Sequence, residues 1–383
     1  MGAMRSTNTY RTFLGAPSAL GVLLGAACFV GALTPSLIPR AGVVQGALAG
    51  ASFAAGYGIG ALIILCWRLL HLPLPQGRRA VAALRERVQQ AATGLIDDLA
   101  AAPSGAAVDV VESYCSQLPV TVIADILGVP EHERSHILEF GELAAPSLDI
   151  GLSWQQYLSV EGGLDGFNTW LSDHLRELRA NPGDNLMSQL IAASEGGARL
   201  NDEELRATAG LVLAAGFETT VNLLGNGIRM LLQHPDQLAL LMEQPDLWPG
   251  AVEEILRLES PVQLSARIAK VNVNIAGYYV LAGEPVIVYL AGANRDPAVF
   301  PDPHRFDVTR ANAGKHHSFS GGRHFCLGAA LARSEGEVGL RTFFERFPDA
   351  QLAGPGTRRD TRVLRGWAAL PIALGQARAA VPS

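Results

Sequence analysis

The stretch FSGGRHFCLG, Phe319 to Gly328, sets one cysteine, Cys326, behind a glycine-rich turn and at the head of a run with few helix breakers, CLGAALARSEGEVGLRTFFERF. A helix start offers unpaired backbone N–H groups and the positive end of the macrodipole, so a sulfur held there is favoured as the thiolate that ligates metal. Gly321, Gly322 and Gly328 let the backbone lie flat where side chains would collide, which suits an axial donor to a haem iron. Two plainer readings use the same residues. One is a buried structural cysteine beside a turn. The other is a nucleophilic pair with His324, for which two residues along a loop is a poor geometry and no third orienting group stands out.

Further stretches carry chemistry-bearing side chains. In AGFETT, Ala215 to Thr220, helical spacing puts Ala215 and Thr219 on one face and turns Glu218 about 100° away. Glu254 and Arg257, three apart in EEILRLESPV, share a helical face and by default form a surface ion pair. HERSH, His132 to His136, satisfies the H-E-x-x-H pattern of a zinc metallohydrolase, with Glu161 as the distant acid for a third ligand. Pro130 lies two residues ahead, however, which puts HERSH in a first exposed turn without the apolar lead-in such a helix needs.

Taken in order, these blocks resemble the cytochromes P-450, whose haem loop reads F-x-x-G-x-x-x-C-x-G and is matched by Phe319, Gly322, Cys326 and Gly328. AGFETT is similar to the family's acid–alcohol motif, EEILRLESPV to its E-x-x-R pair, and PHRF and ANRDP also agree, over a span from about Arg78 to the C-terminus. The resemblance implies haem b with Cys326 as proximal ligand, Thr219 and Glu218 as oxygen-side catalytic residues, and Ala215 against the cofactor. It implies Arg267 and His324 as partners of the haem carboxylates, and Glu254, Arg257 and Arg305 as a buried cluster bracing the cysteine loop. It further implies a monooxygenase that inserts one atom of O2 into an apolar small molecule. Electrons would come from a ferredoxin or flavoprotein donor, which Arg323 and Lys315 would meet. At the Glu218 position the family more often carries Asp. The part that in the family precedes GRRAVAALRERVQQ is not recognisable, and His71 and Arg78 are the only basic candidates there, so a non-catalytic haem-binding remnant is the alternative.

The elements that must position these residues are mostly helices. Helical spacing of Leu, Val and Ile predicts helices over 79–99, 108–127, 153–179 and 184–193. Asn201, with Glu204 at the third position, opens a long helix that stops before Pro235 and spans roughly 50 Å at ~1.5 Å per residue. Short runs in VNVNIAGYYVLAGEPVIVYL and VLRGWAALPIAL predict strands turning at Gly277 and Gly283. The fold class is mainly α with small β-sheets.

Composition narrows the partners. Of 383 residues 49% are hydrophobic, ample for a large core, and a net charge of −6 without a dense basic run argues against nucleic acid. Cys28, Cys66, Cys115 and Cys326 are too scattered for a disulfide framework or a C-x-x-C zinc site. Phe13 to Leu33 and Ala41 to Trp67 are uncharged runs of 21 and 27 residues, each long enough to cross a bilayer. Residues 1–76 therefore read as a two-helix membrane anchor, and 77–383 as the haem domain. Arg5, Arg11, Arg68, Arg78 and Arg79 outside the pair, against Arg40 between, place both ends in the cytoplasm, with the haem domain on the cytoplasmic face of the membrane. LTPSLIPR and the glycine-spaced run after it are also similar to the N-terminal membrane region of some bacterial α/β-hydrolase-like proteins.

Overall fold

A computed structural model describes residues 77–101, 107–195 and 201–378, so the expected membrane hairpin of residues 1–76 lies outside the described residues. The chain divides into two compact units between Ala80 and Val81, and the second unit carries the elements below apart from the first four residues of the first helix.

Nine helices of nine residues or more are described. They are α1 (Gly77–Ala100), α2 (Gln117–Leu127), α3 (Arg134–Ala144), α4 (Trp154–Ala180), α5 (Leu186–Glu195), α6 (Asp202–Gln233), α7 (Pro235–Glu243), α8 (Trp248–Leu258) and α9 (Ala329–Arg346). The longest, α6, starts on the capping box legible in the sequence: the Asn201 side chain accepts from Glu204 N–H at 2.8 Å and Glu204 accepts from Asn201 N–H at 2.9 Å. Its N-terminal half buries Leu205, Ala209, Leu213 and Phe217, one face only, whereas from Phe217 onward it is buried nearly all round. Glu203–Gln233 is the one helix among the described residues long and apolar enough to cross a membrane, and here it is the central core helix, packed by α2, α8 and α9.

Helix α6 meets α9 closely because Gly227 has no side chain. A Cβ there would lie 2.8 and 2.9 Å from the two Leu340 methyls, which real contacts do not tolerate.

The small sheets are antiparallel. β1 (Ala107–Asp109), β9 (Pro371–Ala373) and β6 (Gln351–Leu352) form one, β2 (Leu264–Ile268) pairs with β5 (Pro285–Tyr289), β3 (Val273–Ile275) with β4 (Tyr278–Val280), and β7 (Thr357–Arg358) with β8 (Trp367–Ala369). The β3–β4 hairpin turns through Ala276 and Gly277, with φ of 51° and 90°, the two positive values a tight hairpin turn needs. The expected helix over 108–127 is broken instead. Residues 107–109 pair with the C-terminal strand, and the Asp109 carboxylate accepts the N–H groups of Val111 at 3.0 Å and Leu370 at 2.9 Å, an attachment that local periodicity does not encode.

Replacing Gly227 with valine overpacks the α6–α9 contact and is expected to cost about 1–3 kcal/mol, read as a lower urea midpoint with an unchanged m value.

Candidate active site

The cysteine loop is wound tightly by its own backbone. Cys326 N–H donates to Phe319 O at 3.0 Å, Phe325 N–H to Gly322 O at 3.2 Å and Ser320 N–H to His317 O at 2.7 Å. Ser320 and Gly322 both take the left-handed conformation, φ 60° and 63°, a cost for Ser320 that the neighbouring bonds hold in place. Helix α9 begins at Ala329 with Gly328 as N-cap, three residues later than the sequence suggests, so Cys326 sits in the turn ahead of the helix. Its thiol is free and exposed, which removes the reading of a buried structural cysteine; Cys115 fits that description instead, and burial pushes its thiol up.

Cys326 opens onto a cleft of about 270 Å³ whose far wall is α6, through Ala215, Gly216, Thr219 and Thr220. Leu256, Pro261, Val262, Leu290 and Leu331 make the remainder largely apolar, and Phe319, His324 and Gly328 of the cysteine loop also line it, while Gly322 does not. The Thr219 hydroxyl donates to Ala215 O at 2.8 Å and α6 runs through as unbroken α-helix. Gly216 also packs against α2, and a Cβ there would meet Ile123 Cδ1 at 2.5 Å and oblige that side chain to shift. Glu218 is buried away from the cleft wall, with its Oε1 3.0 Å from Arg359 Nε.

Arg267 is not brought to this cleft. It is exposed on β2, and its Nη1 donates to Ser265 Oγ and Ala266 O, each at 2.7 Å, while Ser265 is the β2 residue that lines the cavity. A residue the sequence reading missed does line it: Glu335 of α9, fully buried, whose carboxyl burial pushes up to about 8 against a weak opposing contact from the Thr220 hydroxyl at 3.5 Å. Its signal was faint, an acid on the inward-facing side of α9 beside Gly336. A free thiol facing an apolar slot, with a hydroxyl-bearing helix opposite, fits a flat apolar macrocycle ligated through sulfur.

Beneath the loop lies a charge cluster. Glu254 and Arg257 are both fully buried and meet in two bonds, Arg257 Nε to Glu254 Oε2 at 2.7 Å and Nη2 to Oε1 at 2.8 Å. Arg305 is not the third member: its side chain is 65% exposed, and it contributes only its carbonyl. That place belongs to Arg310, 8% exposed, whose Nε lies 3.0 Å from Glu254 Oε1 and whose terminal nitrogens take the carbonyls of Pro301, Asp302 and Arg305. The coil takes a left-handed turn at Asp302, φ 46°, and beyond it Arg305 faces outward while Arg310 packs back onto Glu254. A second brace joins the loop's flanks. His316 Nδ1 accepts Ser318 N–H, so Nε2 carries the proton and lies 3.1 Å from Glu253 Oε2, while Arg333 of α9 reaches Glu253 Oε1 at 2.5 Å and its guanidinium stands 4.6 Å from the Phe319 ring centre. Burial works to raise Glu253, but the His316 and Arg333 bonds outweigh it and bring the carboxyl down to about 2.

HERSH does not form a metal centre. His132 and His136 are exposed, the Glu133 carboxylate accepts the Trp170 indole N–H at 2.9 Å, and no three metal-binding side chains gather among the described residues.

Comparison with known proteins agrees with this geometry. The Cytochrome P450 family model matches residues 165–352, and the model for the α/β-hydrolase family N-terminus matches residues 33–141. The chain is 65% identical over 306 residues to a Mycobacterium tuberculosis protein named for cytochrome P450 140, covering 79% of this chain and 69% of that one. It is 42% identical over 299 residues to the cytochrome P450 monooxygenase PikC of Streptomyces venezuelae, covering 77% and 70%. Among solved structures, P450BioI in complex with an acyl-carrier protein superposes with a TM-score of 0.73 at 33% identity, covering 77% and 75%. CYP109E1 of Bacillus megaterium in complex with testosterone gives 0.71 at 31% identity, covering 77% of each chain.

Two outcomes follow for the cofactor-free chain. Arg310→Ala leaves Glu254 with Arg257 as its one cation and frees the carbonyls of Pro301, Asp302 and Arg305, and is expected to cost about 1–3 kcal/mol in denaturant unfolding, whereas Arg305→Ala stays within about 0.5 kcal/mol. Glu335 keeps its proton up to about pH 8 when folded but releases it near 4.5 when unfolded, so its contribution to stability falls as pH rises across that window. Glu335→Gln should flatten that decline in melting temperature between pH 5 and 8 by roughly the share of one proton.

Proposed function

The chain belongs to the cytochrome P450 family and is a haem b monooxygenase, and on that premise we propose that it inserts one oxygen atom into an apolar small molecule with electrons from a ferredoxin or flavoprotein donor. The observation that carries this reading is the exposed Cys326 thiol opening onto an apolar cleft opposite Ala215 and Thr219.

Cys326 Sγ would hold the haem iron from the loop side, and His324, on the cleft lining, would meet a haem carboxylate. When bound, the haem supplies dioxygen activation and accepts the electrons. The chain's own part is positioning and proton handling. The Leu256, Val262 and Leu290 side chains exclude water and favour an apolar guest; a solved relative that holds testosterone supports that class. Thr219 Oγ1, now bonded to Ala215 O, can turn its proton toward the cleft by rotation about one side-chain bond. Glu218 would refill that hydroxyl only after leaving Arg359, which makes the ion pair a gate on proton supply. Exposed Lys315, beside the loop, suits an acidic electron donor. The uncharged runs before Gly77 support anchoring to the cytoplasmic face of a membrane, which fractionation of the expressed chain tests.

Purified chain, reduced and exposed to carbon monoxide, should give the spectrum of a thiolate-ligated haem, and Cys326→Ser should lose it. Thr219→Ala should keep the spectrum while product formed per electron consumed falls about tenfold or more. Bound zinc without haem would overturn the reading, and an intact spectrum with no turnover on any apolar substrate would leave a haem-binding remnant.

A further inference from the structure

A second cavity, of about 540 Å³, lies between the β2–β5 sheet and the C-terminal segment. Arg295, Arg358, Arg359, Arg362 and Arg365 stand on its wall, and no aspartate or glutamate does. Behind the wall the balancing charge is thin. Glu259 serves three of them, at 2.9 Å from Arg365, 3.2 Å from Arg358 and 3.9 Å from Arg295. Glu218 serves Arg359, and Asp149 is spent on the backbone N–H groups of Arg362 and Val363. Five guanidinium groups thus face three carboxylates, all set back from the cavity.

The arginines are also held in place. Arg358 lies 3.7 Å from the Trp367 ring centre and bonds Asn226 Oδ1 at 3.0 Å, and Arg362 Nη1 bonds Ile150 O at 2.9 Å. Burial, with Arg365 adding to it and Glu259 opposing, pushes Arg295 and Arg358 below the ordinary arginine range. Like charges fixed around a partly buried concavity repel one another, and an oxyanion placed among them relieves the repulsion while accepting charge-assisted, bidentate hydrogen bonds. The cavity has room for much more than a bare oxyanion, and Leu264, Ala291 and Leu364 give it an apolar wall. It is distinct from the haem cleft: Val262 and Ser265 line the cleft, whereas Gln263 and Leu264 line this pocket.

We propose that this pocket is a second ligand site, taking a small amphiphilic carboxylate or phosphate whose oxyanion sits among Arg358, Arg362 and Arg365 and whose apolar body lies against Leu264 and Leu364. Because Arg359 stands on the same wall and pairs with Glu218, an anion in the pocket competes with Glu218 for that guanidinium, and the site communicates with α6.

The test uses the full chain, calorimetry and thermal unfolding, with decyl phosphate, decanoate, inorganic phosphate and uncharged decanol. Decyl phosphate or decanoate should bind and raise the unfolding temperature, with their relative affinities naming the preferred oxyanion; inorganic phosphate should bind weakly and decanol more weakly than either amphiphile. Arg362→Gln, which removes the charge without placing a carboxylate beside Asp149, and Arg365→Gln should each weaken the tighter amphiphile roughly tenfold. Ala215→Trp, which fills the haem cleft, should leave that affinity unchanged. Decanol binding as tightly as the charged probes, affinity unmoved in both arginine variants, or loss of binding in Ala215→Trp would each overturn the proposal.

Discussion

A carboxylate with no access to water, Glu254, governs the ordering of the site. Charges taken into a protein interior cost several kcal/mol each unless nearly every lone pair and proton finds a partner, and here they do. Arg257 satisfies Glu254 from the same helix and spends its remaining protons on the carbonyls of Asn294, Pro303 and Arg305, while Arg310 closes the other side. Those carbonyls belong to a stretch of chain with almost no regular structure, whose backbone acceptors would otherwise need water. The ion cluster therefore does for residues 294–310 what a sheet or helix does elsewhere: it fixes the path of the coil.

From that path the cysteine loop inherits its position. Asn294 Nδ2 donates to Ser318 Oγ, which donates in turn to Leu256 O, and Asn294 Oδ1 takes the N–H of His317. The Glu253 brace then ties His316 on one side of the loop to Arg333 on the other. Cys326 is consequently presented by two adjacent acids of α8, one buried for structure and one half-open to the loop, rather than by any bond of its own side chain.

Much of the helical frame is legible in the residues because the signals are local. Asn201 and Glu204 announce the start of α6, Pro235 its end, and glycines with a cysteine mark the loop. Other features depend on which distant segments meet. Arg305 and Arg310 are five residues apart in one coil with no periodicity to say which of them reaches Glu254. Strand β1 hides inside a helical pattern because its partner comes from residues 371–373. Arg267 shares a face of β2 with Ser265 but stands two residues farther along, and its guanidinium folds back onto Ser265 Oγ and Ala266 O instead of entering the cleft. The arginine pocket gathers positions 295 and 358–365, too far apart along the chain to read as a motif.

The contact at Gly227 has a wider effect than its size suggests. It sets how near α9 comes to α6, and those two helices carry the residues on either side of the slot, Cys326 just before one and Thr219 within the other. The gauge of the slot is thereby fixed from behind, by atoms that no guest ever touches. Side chains at its mouth are free to drift toward new guests over evolutionary time, while the separation between sulfur and hydroxyl stays constant.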